Sequence, residues 1–143
     1  MGLKVAPQAP GDGLWRLQWQ PVIPCILDKE VDQGPLAGLK AAFQFRPKSA
    51  WLVVACDLID LDKGTLSQLV AARRSEMAAT AFISPFDGKT EPLLAIWEAS
   101  IAKPLEQAFA QGVRSARRFL QTQNTNMITA LNPDALRNVN HPF

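Results

Sequence analysis

The sequence is poor in the residues that most metal and nucleophile chemistry requires. His141 is its only histidine, which excludes a histidine-rich zinc site and argues against a Ser–His–Asp triad. It has two cysteines, Cys25 and Cys56. Each lies in an apolar run without a third or fourth partner, so they read as small buried hydrophobes in a reduced compartment rather than as a disulfide. No apolar run approaches the roughly eighteen residues of a transmembrane helix. The opening Met1–Pro7 lacks the apolar stretch of a secretory signal. Ala6 also stands where a myristoylation motif needs Ser or Thr. Neither G-x-x-x-x-G-K-S/T nor a G-x-G-x-x-G after a strand is present, and Gly11-Asp12-Gly13 is too short and badly placed to substitute. Repeats and low-complexity segments are absent as well. These absences point to a cytoplasmic protein with no membrane partner.

What remains is ordinary globular material. The chain has 143 residues, 48% hydrophobic and 20% charged, enough for one domain with a real core. Fifteen basic residues against thirteen acidic ones leave a formal charge of +2, which draws the chain toward neither nucleic acid nor membrane.

Residues 1–20 carry three glycines and two prolines around Leu14–Trp19, an alternating run fit for an edge strand or a packed tail. Val22–Leu27 is a short apolar run ending at Asp28. Gly34-Pro35-Leu36-Ala37-Gly38 then opens a helical pattern that reaches Phe45 and stops at Arg46-Pro47. Ala50–Cys56 is continuously apolar, as suits a parallel strand buried on both faces, and Asp57 follows it directly. Thr65 is a good N-cap for a helix through about Ser75. Ala79–Ile83 and Pro92–Trp97 are strand-like and flank the turn-forming Pro85-Phe86-Asp87-Gly88. Helices are expected over Ser100–Ala110, stopped by Gly112, and over Val113–Gln121. Met127–Leu131 reads as a last strand, and Asn132-Pro133-Asp134 as the start of a short helical turn. Strands alternating with helices at this spacing predict an α/β fold, a three-layer, Rossmann-like, doubly wound and mainly parallel sheet. Ligands in such folds bind beyond the carboxyl ends of the strands, where Asp28 and Asp57 both fall.

Asp57 is the strongest candidate. A carboxylate just past a fully apolar strand can reach a hard cation that also carries phosphate, and magnesium needs only one or two such ligands. Capping of the next loop or helix is the structural alternative. Asp28 has the same placement, but Lys29, Glu30 and Asp32 make its loop generally charged. The N–H groups of the helix start at Gly34, Pro35 and Leu36 can face an anion or a sugar hydroxyl, although Pro and Gly are common there for structural reasons alone. Arg114, Arg117 and Arg118 are spaced to share one helical face, for a phosphate or simply for solvent. Arg73-Arg74 closes a helix, where cations suit the dipole. The four tryptophans lie singly and default to core packing.

Taken together, these segments resemble the molybdenum cofactor guanylyltransferase (MobA-like) branch of the nucleotidyltransferases, over about five-sixths of the chain from Val22 to Pro142. The pieces follow the family's order: Ile26-Leu27-Asp28, Asp32–Gly38, Trp51–Leu58, Ala79–Phe82, Asp87-Gly88-Lys89, Glu91–Glu98 and Asn138–Pro142. The domain division that follows is an unmatched lead-in over 1–21 and a partial nucleotidyltransferase domain over 22–143. The resemblance implies transfer of GMP from GTP to molybdopterin with release of pyrophosphate, in the presence of Mg2+. It implies that Asp57 is the catalytic, magnesium-binding aspartate. Asp28, Gly34, Pro35 and Leu36 would join Asp57 at the nucleotide, and Asn138 and Asn140 would line the cleft or its pterin side, where the spacing of Arg114 and Arg117 lets them be placed as well. GTP and molybdopterin are the implied partners, with a molybdoenzyme or another chain as a further one.

The chain also departs from the family's pattern. Nothing in residues 1–21 matches the family's first strand and its Gly-Gly…Arg-Met-Gly…Asp-Lys loop, so the resemblance implies an N-terminally truncated member. Ile59 and Thr90 stand where proline is usual. A lost loop removes several phosphate donors and a lysine, each charge-assisted bond being worth about 1.5–3 kcal/mol, which implies weakened GTP binding. Loss of the first strand would expose a sheet edge for Leu14–Trp19, a second copy or another chain to cover. Two further functions stand beside the first: a non-catalytic nucleotide-, pterin- or partner-binding remnant, and cytidylyl transfer onto the same pterin.

Overall fold

The computed structural model of the chain describes residues 3–7 (backbone only), 35–55 and 62–136. Their elements follow in the order β1 (Leu3–Pro7), α1 (Pro35–Phe45), β2 (Trp51–Ala55), α2 (Lys63–Ala72), β3 (Ala79–Ile83) and β4 (Thr90–Trp97). A single 3-10 turn, Ala99–Ile101, leads into α3 (Ala102–Ala110), which is followed by α4 (Ala116–Gln121), β5 (Thr125–Thr129) and a 3-10 turn at Pro133–Leu136.

Period-two alternation divides the strands between two cores. Trp51, Val53, Ala79, Ala81, Ala95 and Trp97 pack against Leu36, Leu39 and Phe43 of α1, Leu105 of α3 and Phe119 of α4. Leu52, Phe82, Leu94 and Ile96 point the other way, onto Leu66 and Leu69 of α2 and Leu136. The sheet is therefore the middle of three layers, as expected for the α/β Rossmann-type class. Trp97 stacks on Phe119 at 6.0 Å with the rings 11° apart, and its indole N–H donates to the Pro92 carbonyl at 3.1 Å. Both described tryptophans, Trp51 and Trp97, are core residues.

The strand order is β1-β2-β4-β3-β5, and the expectation of a mainly parallel sheet is corrected. β3 and β5 pair in parallel, but β4 runs against both β2 and β3, so the sheet is mixed. The cause is local. Gly88, at φ 70, closes a tight turn between β3 and β4, and a tight turn can join only antiparallel neighbours. β2 is buried on both faces as its composition predicts, yet both its partners are antiparallel. On its outer edge lies β1, from Leu3 opposite Ala55 to Pro7 opposite Trp51, a strand that no local pattern marks.

Other boundaries shift for equally local reasons. The N-cap of α2 is Asp62 rather than Thr65: the Asp62 carboxylate accepts the Thr65 backbone N–H, and Thr65 itself is buried inside the helix. The helix ends at Ala72, three residues before Ser75. α4 begins only at Ala116, because the Ser115 hydroxyl caps it. β5 starts two residues earlier than expected, at Thr125, whose hydroxyl donates to the Leu120 carbonyl. Arg73 and Glu98 close the end of the sheet opposite the β3–β4 turn with a two-armed ion pair, both contacts 2.8 Å long. Leu14–Trp19, Val22–Leu27, Cys25, Cys56 and His141 lie outside the described residues. Among the described residues no helix is long and apolar enough to cross a membrane.

Candidate functional site

β2, β3 and β5 point the same way, so their carboxyl ends form one rim, the edge at which α/β sheets bind ligands. The β3–β4 turn, the segment after β5 and the N-cap of α2 all lie along it. α1 passes into β2 through Arg46–Ala50 at the opposite edge, so its N-terminal turn is directed back toward the rim. Pro35 is the first residue of that helix. Leu36 is fully buried in the core, so any ligand contact it makes there runs through backbone N–H groups, not its side chain.

Asp62 organises one part of the rim. Its Oδ1 accepts the Thr65 N–H at 2.7 Å, and its Oδ2 accepts the Asn132 Nδ2–H, also at 2.7 Å. Hydrogen bonds from Thr65, first through its hydroxyl and then its backbone, and from Asn132 hold the Asp62 carboxyl below its ordinary pKa. Gln68, two turns into α2, brackets the end of β5: its Nε2 donates to the Thr129 carbonyl at 2.8 Å, and its Oε1 accepts the Leu131 N–H at 3.0 Å. Asn126 donates to the Ala72 carbonyl at 3.0 Å. Helix α2 and strand β5 are thus joined along their length.

Asp87 and Arg117 organise the other part. Asp87 Oδ1 accepts the Lys89 N–H at 2.9 Å, and Oδ2 lies 3.3 Å from Arg117 Nη1. Arg117 Nε donates to the Thr90 carbonyl at 3.1 Å. The Lys89 backbone N–H, aided by the Arg117 charge and Ser84, keeps the Asp87 carboxyl below its ordinary pKa. Arg117 is therefore at the rim, fixing the β3–β4 turn.

Arg114 is elsewhere. It precedes the α4 cap, so it does not share a helical face with Arg117 as the spacing suggested. Its Nη1 donates to the carbonyls of Phe109 and Val113 at 2.7 and 3.0 Å, and its guanidinium lies 3.7 Å from the Phe109 ring centroid. Lys40 of α1 approaches the same ring at 4.5 Å.

Asp28, Gly34, Asp57, Asn138 and Asn140 lie outside the described residues. Among the described residues no three His, Cys, Asp or Glu side chains gather as a metal site, and Asp62 and Asp87 already hold protein donors. The rim residues that sequence reasoning missed are Asp62, Gln68 and Asn132. Asp62 carried a signal, since Asp three residues before Thr65 has the spacing of a cap. Gln68 and Asn132 carried none, because their partners are 61 to 70 residues away.

Known proteins resemble the chain in the same terms. The MobA-like NTP transferase domain matches residues 10–127. A molybdenum cofactor biosynthesis bifunctional protein from Synechocystis sp. is 26% identical over 129 residues, 87% of this chain and 37% of that protein. A molybdenum cofactor guanylyltransferase from Pseudomonas aeruginosa is 31% identical over 110 residues, 76% of this chain and 55% of that one. The chain thus spans from about a third to just over half the length of these two relatives. The crystal structure of molybdopterin-guanine dinucleotide biosynthesis protein A from Archaeoglobus fulgidus superposes with a TM-score of 0.63 at 25% identity, covering 76% of this chain and 57% of that one. With most of its length matched by the domain and its sheet by a solved relative, the chain belongs to the MobA-like NTP transferase family.

Proposed function

We propose that this chain is a nucleotidyltransferase of molybdenum cofactor biosynthesis that transfers GMP from GTP to molybdopterin, with release of pyrophosphate, in the cytoplasm. The observation that carries it is the family match over residues 10–127. It is supported by the rim itself, where the carboxyl ends of β2, β3 and β5 and the N-terminal turn of α1 share one edge of the sheet.

In this proposal residues 22–143 act as the domain. Backbone N–H groups at the start of α1, around Gly34, Pro35 and Leu36, hold the nucleotide together with Asp28. Arg117 already anchors the turn beside the rim, and with Asn138 and Asn140 it serves the pterin side. The pterin phosphate oxygen attacks the α-phosphorus of GTP. The bond from that phosphorus to the oxygen bridging to the β-phosphate breaks, and pyrophosphate leaves with the electron pair. No protein nucleophile is needed, so the protein's part is orientation and charge balance. Asp57 would hold magnesium, which when bound offsets the charge on the departing pyrophosphate.

Calorimetric titration with GTP and magnesium tests this. Saturable binding that disappears in Asp57→Ala supports a nucleotide site, and CTP in place of GTP distinguishes cytidylyl from guanylyl transfer. Silence with both nucleotides overturns the catalytic assignment. It would leave a nucleotide-free, partner-binding domain, a reading favoured by the structural commitments of Asp62 and Asp87.

A further inference from the structure

The outer surface of the α3–α4 pair carries a trough that nucleotide transfer does not use. It encloses about 630 Å³ between the two helices and the Gly112–Ser115 turn, and it is open to solvent along one side. Phe119 and Val113 give it an apolar floor, and the Gln107 and Gln111 amides line the α3 wall. Two guanidiniums, Arg114 and Arg118, border it, and no Asp or Glu is among its described lining residues. Arg114 is held in place by two carbonyls and the Phe109 ring. Lys40 is a second cation on that ring. Arg118 is exposed, and only its backbone N–H, bonded to the Ser115 hydroxyl, is engaged by a described partner.

We propose that this trough is a docking site for a short acidic stretch of a partner polypeptide. A side-chain amide can meet both the N–H and the C=O of an extended backbone, and a guanidinium can meet a carboxylate with two donors. A fixed arginine loses little freedom when it binds. Small-molecule sites bury most of their ligand, and a partly open trough suits an extended segment better. Two arginines are too few to track a phosphate backbone. Charge complementarity therefore selects a peptide with two or more carboxylates flanking an apolar residue.

The test is fluorescence anisotropy of a labelled, end-blocked Asp-Glu-Leu-Asp-Glu peptide with the intact chain at about 50 mM salt, where surface charges are only partly screened. Saturable binding that weakens with salt is expected. Arg118→Glu and Gln111→Glu should each weaken it about tenfold, the scale of one charge-assisted contact. Arg74→Glu, the same charge change at a side chain 62% exposed on the opposite layer, should leave it intact. The proposal fails if no saturable binding occurs, or if Arg74→Glu costs as much as Arg118→Glu. It fails equally if a lysine peptide binds as well, or if inorganic phosphate displaces the acidic peptide at matching concentration. None of these outcomes depends on GTP binding.

Discussion

Asp62 and Asn132 stand 70 residues apart in the chain and meet at 2.7 Å on the rim of the sheet. The same carboxylate caps α2 through Thr65, so a single group fastens both the start of a helix and the exit of the last strand. Asp62→Ala should lower the melting temperature more than Asn132→Ala does, because it removes the cap as well as the bridge. Thermal unfolding followed by circular dichroism decides the order, and equal losses would mean that the cap contributes nothing.

The pH dependence of stability follows from the two rim carboxylates. Asp62 and Asp87 are both held below their ordinary value of 3.8. The unfolded chain therefore binds protons more readily in that range. Their contribution is fully present above the unfolded value and is lost as the pH falls through the folded one. The melting temperature should fall between about pH 5 and pH 2, and less steeply in the Asp62→Asn/Asp87→Asn double variant. Parallel curves for the two proteins would remove these groups from the account.

Arg73 and Glu98 form a pair whose side chains are only 15% and 5% exposed. Arg73→Met leaves a buried carboxylate and should cost about 3 kcal/mol, whereas Arg73→Met/Glu98→Leu should restore most of it. Urea denaturation with an unchanged m-value is the measurement. A double variant as weak as the single one would contradict the prediction.

Two glycines should respond in opposite directions. Gly112 has φ 98, and a Cβ there meets nothing within 4 Å, so Gly112→Ala isolates the backbone penalty, about 1 kcal/mol. Gly64 lies in the first turn of α2, where a Cβ would make ordinary contact with Asp62 Oδ1 at 3.6 Å. Gly64→Ala should stabilise the chain by about 0.5–1 kcal/mol.

β1 covers the outer edge of β2 through backbone pairing from Leu3 to Pro7. Deleting residues 1–7 should expose that edge and promote self-association, visible as a higher mass in sedimentation. A deletion variant that stays monomeric with an unchanged melting temperature would show that this pairing contributes little.

The sequence revealed the elements whose signals are local. Uninterrupted apolar residues mark β2, and Pro35 and Arg46-Pro47 bracket α1 almost to the residue. The three layers follow from that alternation. The direction of β4 is also legible, because the turn residues at Pro85–Gly88 leave room only for a hairpin, a stronger signal than the general alternation of strands and helices. What no local pattern contains is pairing at a distance: β1 on β2, Gln68 on the end of β5, and Asp62 on Asn132. The three arginines show the same limit in miniature. Spacing put Arg114 and Arg117 on one face, but a Ser115 cap between them sends one to Phe109 and the other to Asp87.

The place of β4 between β2 and β3 also dictates a schedule of assembly. β2 is synthesised well before β4, and its inner edge has no partner until β4 arrives. β4 has a nearer one, since a short turn delivers it to β3 with little loop-closure entropy. The hairpin therefore forms first and then closes onto the waiting strand. During that interval Trp51–Ala55, the most apolar of the described strands, is the one most exposed to capture by another copy.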